Sequence, residues 1–466
     1  MKQKIIPIVD SNNYTDPFNT VCDLKWNYPI FHMERGEFRS CCRTPSKPVS
    51  DAMIEKLGTD AFLNNFDMLQ SRLDLVQGKR HHDCKSCWGL EDAGMSSPRH
   101  DPDKFWHQLH KTKTVPYSQS YSEESLRIEM SKIESIHHPA LKSHFPYMLE
   151  VSLGNTCDMK CMYCNHIYST QWATERIKYG EITQEQYDRE FPKASPKFEE
   201  YYWKWFDTVK LHLGRIGAIG GEPLIMPEFY RFIEKSIEAI EPIKHLRKKK
   251  MTFWIVTNLN TPPNYMKKFL EYLPKLTEHF DVEILGSMEA VGNRAEYIRN
   301  GLDWDRFIGN LDKVLGSNCK FEFGFISSVN ALSIATTLDF IKFTEDLYQK
   351  YNRPVALKQA VVNYPSHQSP FILTTDFARY IDQTVEYMQQ KADVMPDVSD
   401  FYGRWDQYII FLQNLANSLR NNNQDRLEDR KRFYTWFNKF DERRKLNFVE
   451  TFPEYADFFD MTKHLQ

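Results

Sequence analysis

No apolar run in this sequence approaches the roughly 18 residues that a membrane-spanning helix requires. The first residues, Met1-Lys2-Gln3-Lys4-Ile5-Ile6-Pro7, lack the long apolar region and small-residue cleavage site of a secretory signal. An excess of one charge is missing as well. Against 63 Asp and Glu stand 60 Lys and Arg, a net charge of −3, so no global basic field points to nucleic acid as the main partner. No internal repeat, nucleophilic triad or di-metal carboxylate spacing is present. With 41% hydrophobic and 14% aromatic residues the chain is also unlike a disordered one. The expectation is a soluble, cytoplasmic, globular protein. Its 466 residues suit two or three domains and a core that needs no disulfide staples.

Nine cysteines then call for a different explanation, because cytoplasmic thiols stay reduced and an odd number cannot pair fully. Eight of the nine fall before residue 165: Cys22, Cys41, Cys42, Cys84, Cys87, Cys157, Cys161 and Cys164. Such grouping points to metal or iron–sulfur ligation. Cys319 stands apart and is expected in the core.

The chain divides into zones. Residues 1–100 are Cys-rich, with a helical stretch near Ala52–Leu75, and residues 101–145 form a polar connector. From 146 to 373 short apolar runs alternate with amphipathic stretches. The runs are Tyr147–Leu153, Arg215–Ile219, Thr252–Thr257, Val282–Ser287, Phe321–Ile326 and Val355–Ala360. The helical patterns between them include Glu228–Ile240, Asn264–Leu276, Trp304–Leu315 and Ser333–Tyr351. This alternation predicts βαβ units and a parallel sheet, curled by right-handed crossovers into a partial (β/α)6 barrel. Residues 374–466 read as a helical extension. In such α/β folds ligands bind beyond the C-terminal strand ends. The basic run Lys244–Lys250 reads as a solvated loop, and Trp203 and Trp205 as helix-packing aromatics.

One cysteine group lies just past the first strand: Cys157-Asp158-Met159-Lys160-Cys161-Met162-Tyr163-Cys164. Three thiolates at this spacing can wrap one cubane, holding three irons and leaving the fourth open. Structural zinc prefers four closed ligands. The Cys-x3-Cys-x2-Cys pattern, with Tyr163 before its last cysteine, resembles the signature of radical S-adenosylmethionine enzymes. That resemblance implies a partial (β/α)6 barrel and a [4Fe–4S] cluster whose open iron chelates S-adenosylmethionine. It further implies reductive cleavage to a 5′-deoxyadenosyl radical that abstracts hydrogen from a substrate, with an electron from a reductant such as flavodoxin or ferredoxin.

Loops after later strands extend the likeness. Gly220-Gly221-Glu222-Pro223 is similar to the family motif that meets the methionine ammonium, where Glu222 would offer a charged acceptor. Thr257-Asn258-Leu259-Asn260 resembles the family's Thr-Asn-Gly without its glycine, with Asn258 as the contact. Ser287-Met288-Glu289 is similar to a ribose-binding Ser-x-Asp, with Glu in place of Asp. Asn330, past the fifth strand, is a further candidate. A helix-capping role is the alternative for Glu222, Glu289 and Asn330.

The N-terminal cysteines, with Gly36, Gly78, Trp88, Glu91, Gly94, Ser96 and Arg99, resemble a twitch or SPASM-type auxiliary-cluster module placed ahead of the barrel. Tyr297–Trp304 and Asn363-Tyr364-Pro365 add to that likeness. Four ligands close a second [4Fe–4S] cluster: Cys22, Cys84, Cys87 and either Cys42, the preferred choice, or Cys41, since adjacent side chains in an extended segment point opposite ways. Zinc is the alternative occupant. His81-His82 are read as surface residues. The twitch likeness implies a peptide or protein side chain as substrate. A nucleotide, sugar or small metabolite, and a non-catalytic electron-relay role, are the other readings.

Overall fold

The structure, a computed structural model, describes residues 20, 22, 24–92, 97, 99, 143, 146–395, 404–421 and 426–465. Gly94, Ser96 and nearly all of the expected connector lie outside these residues. At the N-terminal end, β1 (Ile30–His32), β2 (Glu37–Arg39) and β3 (Lys47–Pro48) form an antiparallel meander. The six apolar runs become β4 (Met148–Ser152), β6 (Arg215–Ile219), β7 (Thr252–Thr257), β8 (Asp281–Ser287), β10 (Phe321–Val329) and β11 (Val355–Val361). Two short strands, β5 (Lys160–Cys161) and β9 (Arg299–Asn300), pair only with each other.

These six strands are parallel and adjacent in sequence order, as expected for consecutive βαβ units. The sheet continues past β4. Ile30–His32 pairs parallel with Glu150–Ser152, giving nine strands in the order β11-β10-β8-β7-β6-β4-β1-β2-β3. The sheet therefore crosses the expected boundary between a Cys-rich module and a barrel. Side-chain alternation along each strand sends Leu149, Val151, Ile216, Phe253, Ile284 and Phe323 into the core shared with the helices. Met148, Trp254, Leu285 and Ala356 go to the other face. There they join Cys22, Trp26, Ile30, Cys41, Cys84 and Trp88 from the N-terminal segment.

Between β4 and β6 the chain forms helices Thr170–Lys178, Gln184–Glu190 and Pro196–Val209. The last of these starts with Pro at its first turn and buries Phe198, Tyr202, Trp205, Phe206 and Val209 along one stripe. Trp205 stacks 4.9 Å from Phe31, so it packs a helix, as expected. The stretch near Ala52–Leu75 is three helices rather than one: Asp51–Leu57, Asp60–Leu63 and Phe66–Val76. Gly58, at φ +57°, ends the first, and Asn65 caps the third by accepting from the Met68 N–H at 3.1 Å.

The C-terminal residues are helical, with Ala378–Gln390, Trp405–Arg420, Leu427–Arg444 and Ala456–Lys463 as the main elements. Phe437, Phe440, Phe448 and Phe452 surround the ring of Tyr297, whose hydroxyl donates to Asp441. That contact docks the extension on the segment leading to β9.

Candidate metal centres and cofactor site

The loop carrying Cys157, Cys161 and Cys164 leaves the C-terminal end of β4 and is pinned from several directions. The β5–β9 ladder sets Cys161 opposite Arg299, and the Met162 N–H donates to the Ile298 carbonyl at 2.8 Å. Ser169 Oγ donates to the Met159 carbonyl at 2.6 Å, and Trp172 Nε1 to the Cys161 carbonyl at 2.9 Å. Gln368 Nε2, from the turn after β11, donates to the Met162 carbonyl at 2.9 Å. Lys160 pairs with buried Glu175 at 2.8 Å, and Glu175 also holds Arg444 of the C-terminal extension. A loop fixed in this way presents its three half-buried thiols without first having to order itself.

Burial pushes the Cys161 thiol up to about 12 and the Cys164 thiol up to about 11, while the Arg299 guanidinium pulls both down. Metal binding must therefore displace protons from these sulfurs. Arg299 Nη1 lies 3.7 Å from Cys161 Sγ, and its other arm pairs with Glu289. Tyr163 Oη donates to the same carboxylate at 3.1 Å and 3.2 Å. Glu289, expected at a ribose, is thus committed to Arg299 and Tyr163. Ser287 remains half-buried at the end of β8.

Gly220 and Gly221 follow β6 and run against residues 154–156. The Gly221 N–H donates to the Gly154 carbonyl at 2.9 Å, and the Glu222 N–H to the Thr156 carbonyl at 2.8 Å. A Cβ on Gly220, which sits at φ +144°, would lie 2.6 Å from the Gly154 oxygen; one on Gly221 would lie 2.3 Å from the Thr156 oxygen. The glycines are needed for this close approach of the cluster loop.

Glu222 is fully buried. Its carboxylate accepts from the Leu224 N–H at 3.0 Å, Thr257 Oγ1 at 2.7 Å and the Asn258 N–H at 2.6 Å. Burial, then the nearby Asp158 charge, pushes it up to about 8, while these three donors oppose the shift. Through these bonds Glu222 ties the β6 loop to the β7 loop. Pro223 begins the short turn that follows. Asn330 is likewise used locally, with its Oδ1 accepting from the Leu332 and Ser333 N–H groups and its Nδ2 donating to the Ser328 carbonyl.

Asn258 does reach the cluster loop, donating from Nδ2 to Asp158 Oδ1 at 2.8 Å. Asn260 donates to the other oxygen of Asp158 at 2.9 Å and to the Gly301 carbonyl at 3.0 Å. Leu259, between them, has φ +55°. The left-handed turn that a glycine would adopt freely is kept here by a leucine whose side chain is fully buried. Asp158, Asn260 and Arg299 were not singled out from sequence. The first stands inside the cysteine motif and the second beside Asn258, so the signal was proximity alone.

In the N-terminal group, Cys22, Cys41, Cys84 and Cys87 are all buried, whereas Cys42 is exposed. Cys41 acts electrostatically on both Cys84 and Cys87, while Cys42 lies beside Glu150 of β4. Cys41 shares one buried cluster with Cys22 and Cys84, and Cys42 lies outside it. Ser97 hydrogen-bonds Cys87, and Glu91 pairs with Arg99, whose guanidinium stacks 4.3 Å over Trp88. His82 is exposed as expected, but His81 is buried. His81, His82 and Asp83 converge within 4.8 Å, yet Lys47 at 3.2 Å already balances Asp83. Cys319 is half-buried against the core.

Sulfur spacing bears on the occupant. Tetrahedral zinc with Zn–S bonds of ~2.3 Å requires sulfurs ~3.8 Å apart. Among the described residues, no three cysteine sulfurs lie within 4.8 Å of one another. The donor sets fit iron–sulfur clusters: three thiols in one place, four in the other.

No protein-family model matches the chain, and no curated protein matches it. Among solved structures, it is similar to Streptococcus suis SuiB bound to S-adenosylmethionine, at 16% identity over 68% of this chain and 62% of that one, with a TM-score of 0.35. It is similar also to SuiB bound to its precursor peptide SuiA, at 12% identity over 78% and 69%, with a TM-score of 0.36. A third is TYW1 with a lysine-pyruvate adduct bound, at 16% identity over 53% and 74%, with a TM-score of 0.28. The chain spans less than two thirds of the first of these.

Proposed function

We propose that this protein is a radical S-adenosylmethionine enzyme that abstracts hydrogen from a peptide or protein side chain. The observation that carries the reading is a rigid three-cysteine loop at the C-terminal end of the first of six parallel strands. The loops after the next two strands are hydrogen-bonded to it. Cys157, Cys161 and Cys164 would hold a [4Fe–4S] cluster, and Cys22, Cys41, Cys84 and Cys87 a second one. When bound, the first cluster and S-adenosylmethionine supply a one-electron cleavage that yields a carbon radical. The chain's own part is positional. Asp158, Asn258 and Asn260 fix the cluster loop, Gly220 and Gly221 let it approach the sheet, and Glu222 locks the two neighbouring loops together. Arg299 places a positive charge beside Cys161, favouring the thiolate needed for ligation. The substrate class rests on the twitch-type likeness; a nucleotide, sugar or small metabolite is the alternative.

Anaerobically reconstituted, dithionite-reduced protein should convert S-adenosylmethionine to 5′-deoxyadenosine. Cys157→Ala, Cys161→Ala and Cys164→Ala should each abolish that product while the chain stays folded. Product formed at the wild-type rate by any of the three would overturn the assignment.

A further inference from the structure

Lys25 is an unusual residue for a protein interior. It lies in the helical turn Leu24–Asn27, is 1% exposed, and its Nζ has no hydrogen-bond acceptor. The ammonium has three N–H donors, and leaving them unmet in an apolar setting is costly. Among the described residues its one ion-pair partner, Asp83 Oδ2, is 3.9 Å away. That is beyond hydrogen-bond reach. Asp83 is itself buried, and neither of its oxygens has a hydrogen bond. Lys47 faces Asp83 at 3.2 Å from the other side, so the carboxylate's charge is shared between two cations.

What adjoins Lys25 is the auxiliary cysteine group. Cys22 is three residues before it, and the Lys25 N–H donates to the Cys22 carbonyl at 3.0 Å. The Lys25 charge acts on the Cys84 thiol, next to Asp83 in sequence. Its carbonyl is clamped by Arg72 Nε at 3.0 Å, so the turn that carries the side chain is fixed. A buried cation with unmet donors, beside Cys84 and anchored to the Cys22 carbonyl, is matched by an anionic acceptor, and thiolate or sulfide sulfur of a bound cluster is one.

We infer that Lys25 is a positioning residue for the auxiliary cluster: it donates to the cluster's sulfurs and raises its reduction potential. The inference rests on the two-cluster reading above. Hydrogen bonds to sulfur and net local charge are among the factors that set such potentials. A nearby positive charge favours the reduced, more negative state. Asp83, itself paired with Lys47, is the carboxylate nearest the ammonium at 3.9 Å.

The test is an electron paramagnetic resonance redox titration of the reconstituted full-length protein. S-adenosylmethionine is added so that the signal it perturbs can be told from the auxiliary one. Lys25→Met should shift the auxiliary midpoint to a more negative value and leave the other cluster's midpoint unmoved. Lys25→Arg, which keeps the charge and donors, should stay near wild type. If Lys25→Met does not load, Lys25→Gln, which also removes the charge, carries the same expectation. An auxiliary midpoint unchanged in a charge-removing variant that still holds about eight irons overturns the role of Lys25 while leaving the two-cluster reading intact. Wild-type protein with only about four irons overturns that reading instead, and the inference with it.

Discussion

At the residue scale, two positions separate what spacing can tell from what it cannot. Cys41 and Cys42 are adjacent, and alternation says only that one points inward. The pair lies in the turn between β2 and β3, with Cys41 buried and Cys42 exposed, and that turn was not evident in the sequence because strands of two or three residues carry too little periodicity. Cys41→Ala should lose about half of the bound iron, whereas Cys42→Ala should keep nearly all of it. Iron and sulfide analysis after reconstitution checks this, and equal loss in both variants would contradict the assignment.

Leu259 poses the reverse problem. Its missing glycine suggested a weakened motif, but the backbone keeps the left-handed turn. Holding a non-glycine there costs about 1–2 kcal/mol. Burying a leucine contributes more, since truncating one in a core typically costs about 2–5 kcal/mol. Placing a glycine at this position should therefore harm this protein. Leu259→Gly should lower stability by about 1–4 kcal/mol in a denaturant titration; a more stable variant would mean that the side chain does not matter to the core.

At the scale of elements, the strands were legible and their supports were not. All six long strands were placed within a few residues because each is a short apolar run between turn residues. Of the helices of 170–209, only the packing of Trp203 and Trp205 was read in advance; Gln184–Glu190 buries no residue and so carries no apolar stripe to read. The glycine and asparagine loops were recognisable as motifs, but the groups that hydrogen-bond Glu222, Glu289 and Asn330 come from segments distant in the chain or from local caps. Only the fold brings them together.

The turn Ser366–Gln368 shows how the last strand's exit is held. Gln368 reaches the cluster loop, while His367 packs against Trp436 of the C-terminal helix at 5.8 Å. Burial, with Arg432 adding to it, pushes His367 down to about 4; Asp429 opposes this. The folded pKa lies below the ordinary value of 6.5, so the folded state binds fewer protons than the unfolded one. Stability from this residue is fully present above pH 6.5 and is lost as pH falls from there toward 4. His367→Gln should flatten that part of the melting-temperature profile. An unchanged slope between pH 7 and 4 would remove His367 from the acid response.

At the scale of the whole molecule, the N-terminal segment, the parallel sheet and the C-terminal helices converge on one loop. β1 adds to the sheet beside β4, which launches the loop. Glu175 and Asp441 join the terminal helices to its flanks. None of the helices in the described residues is long and apolar enough to cross a membrane, as the hydropathy had suggested.

The central claim is that one cluster has an iron without a protein ligand and that this iron receives S-adenosylmethionine. The most direct measurement is the electron–nuclear hyperfine spectrum of the reduced protein, taken with S-adenosylmethionine carrying nitrogen-15 and oxygen-17 in its methionine amino and carboxylate groups. The account predicts nitrogen and oxygen couplings on one cluster only, retained in Cys84→Ala and absent in Cys161→Ala. A wild-type spectrum identical with labelled and unlabelled compound would contradict it.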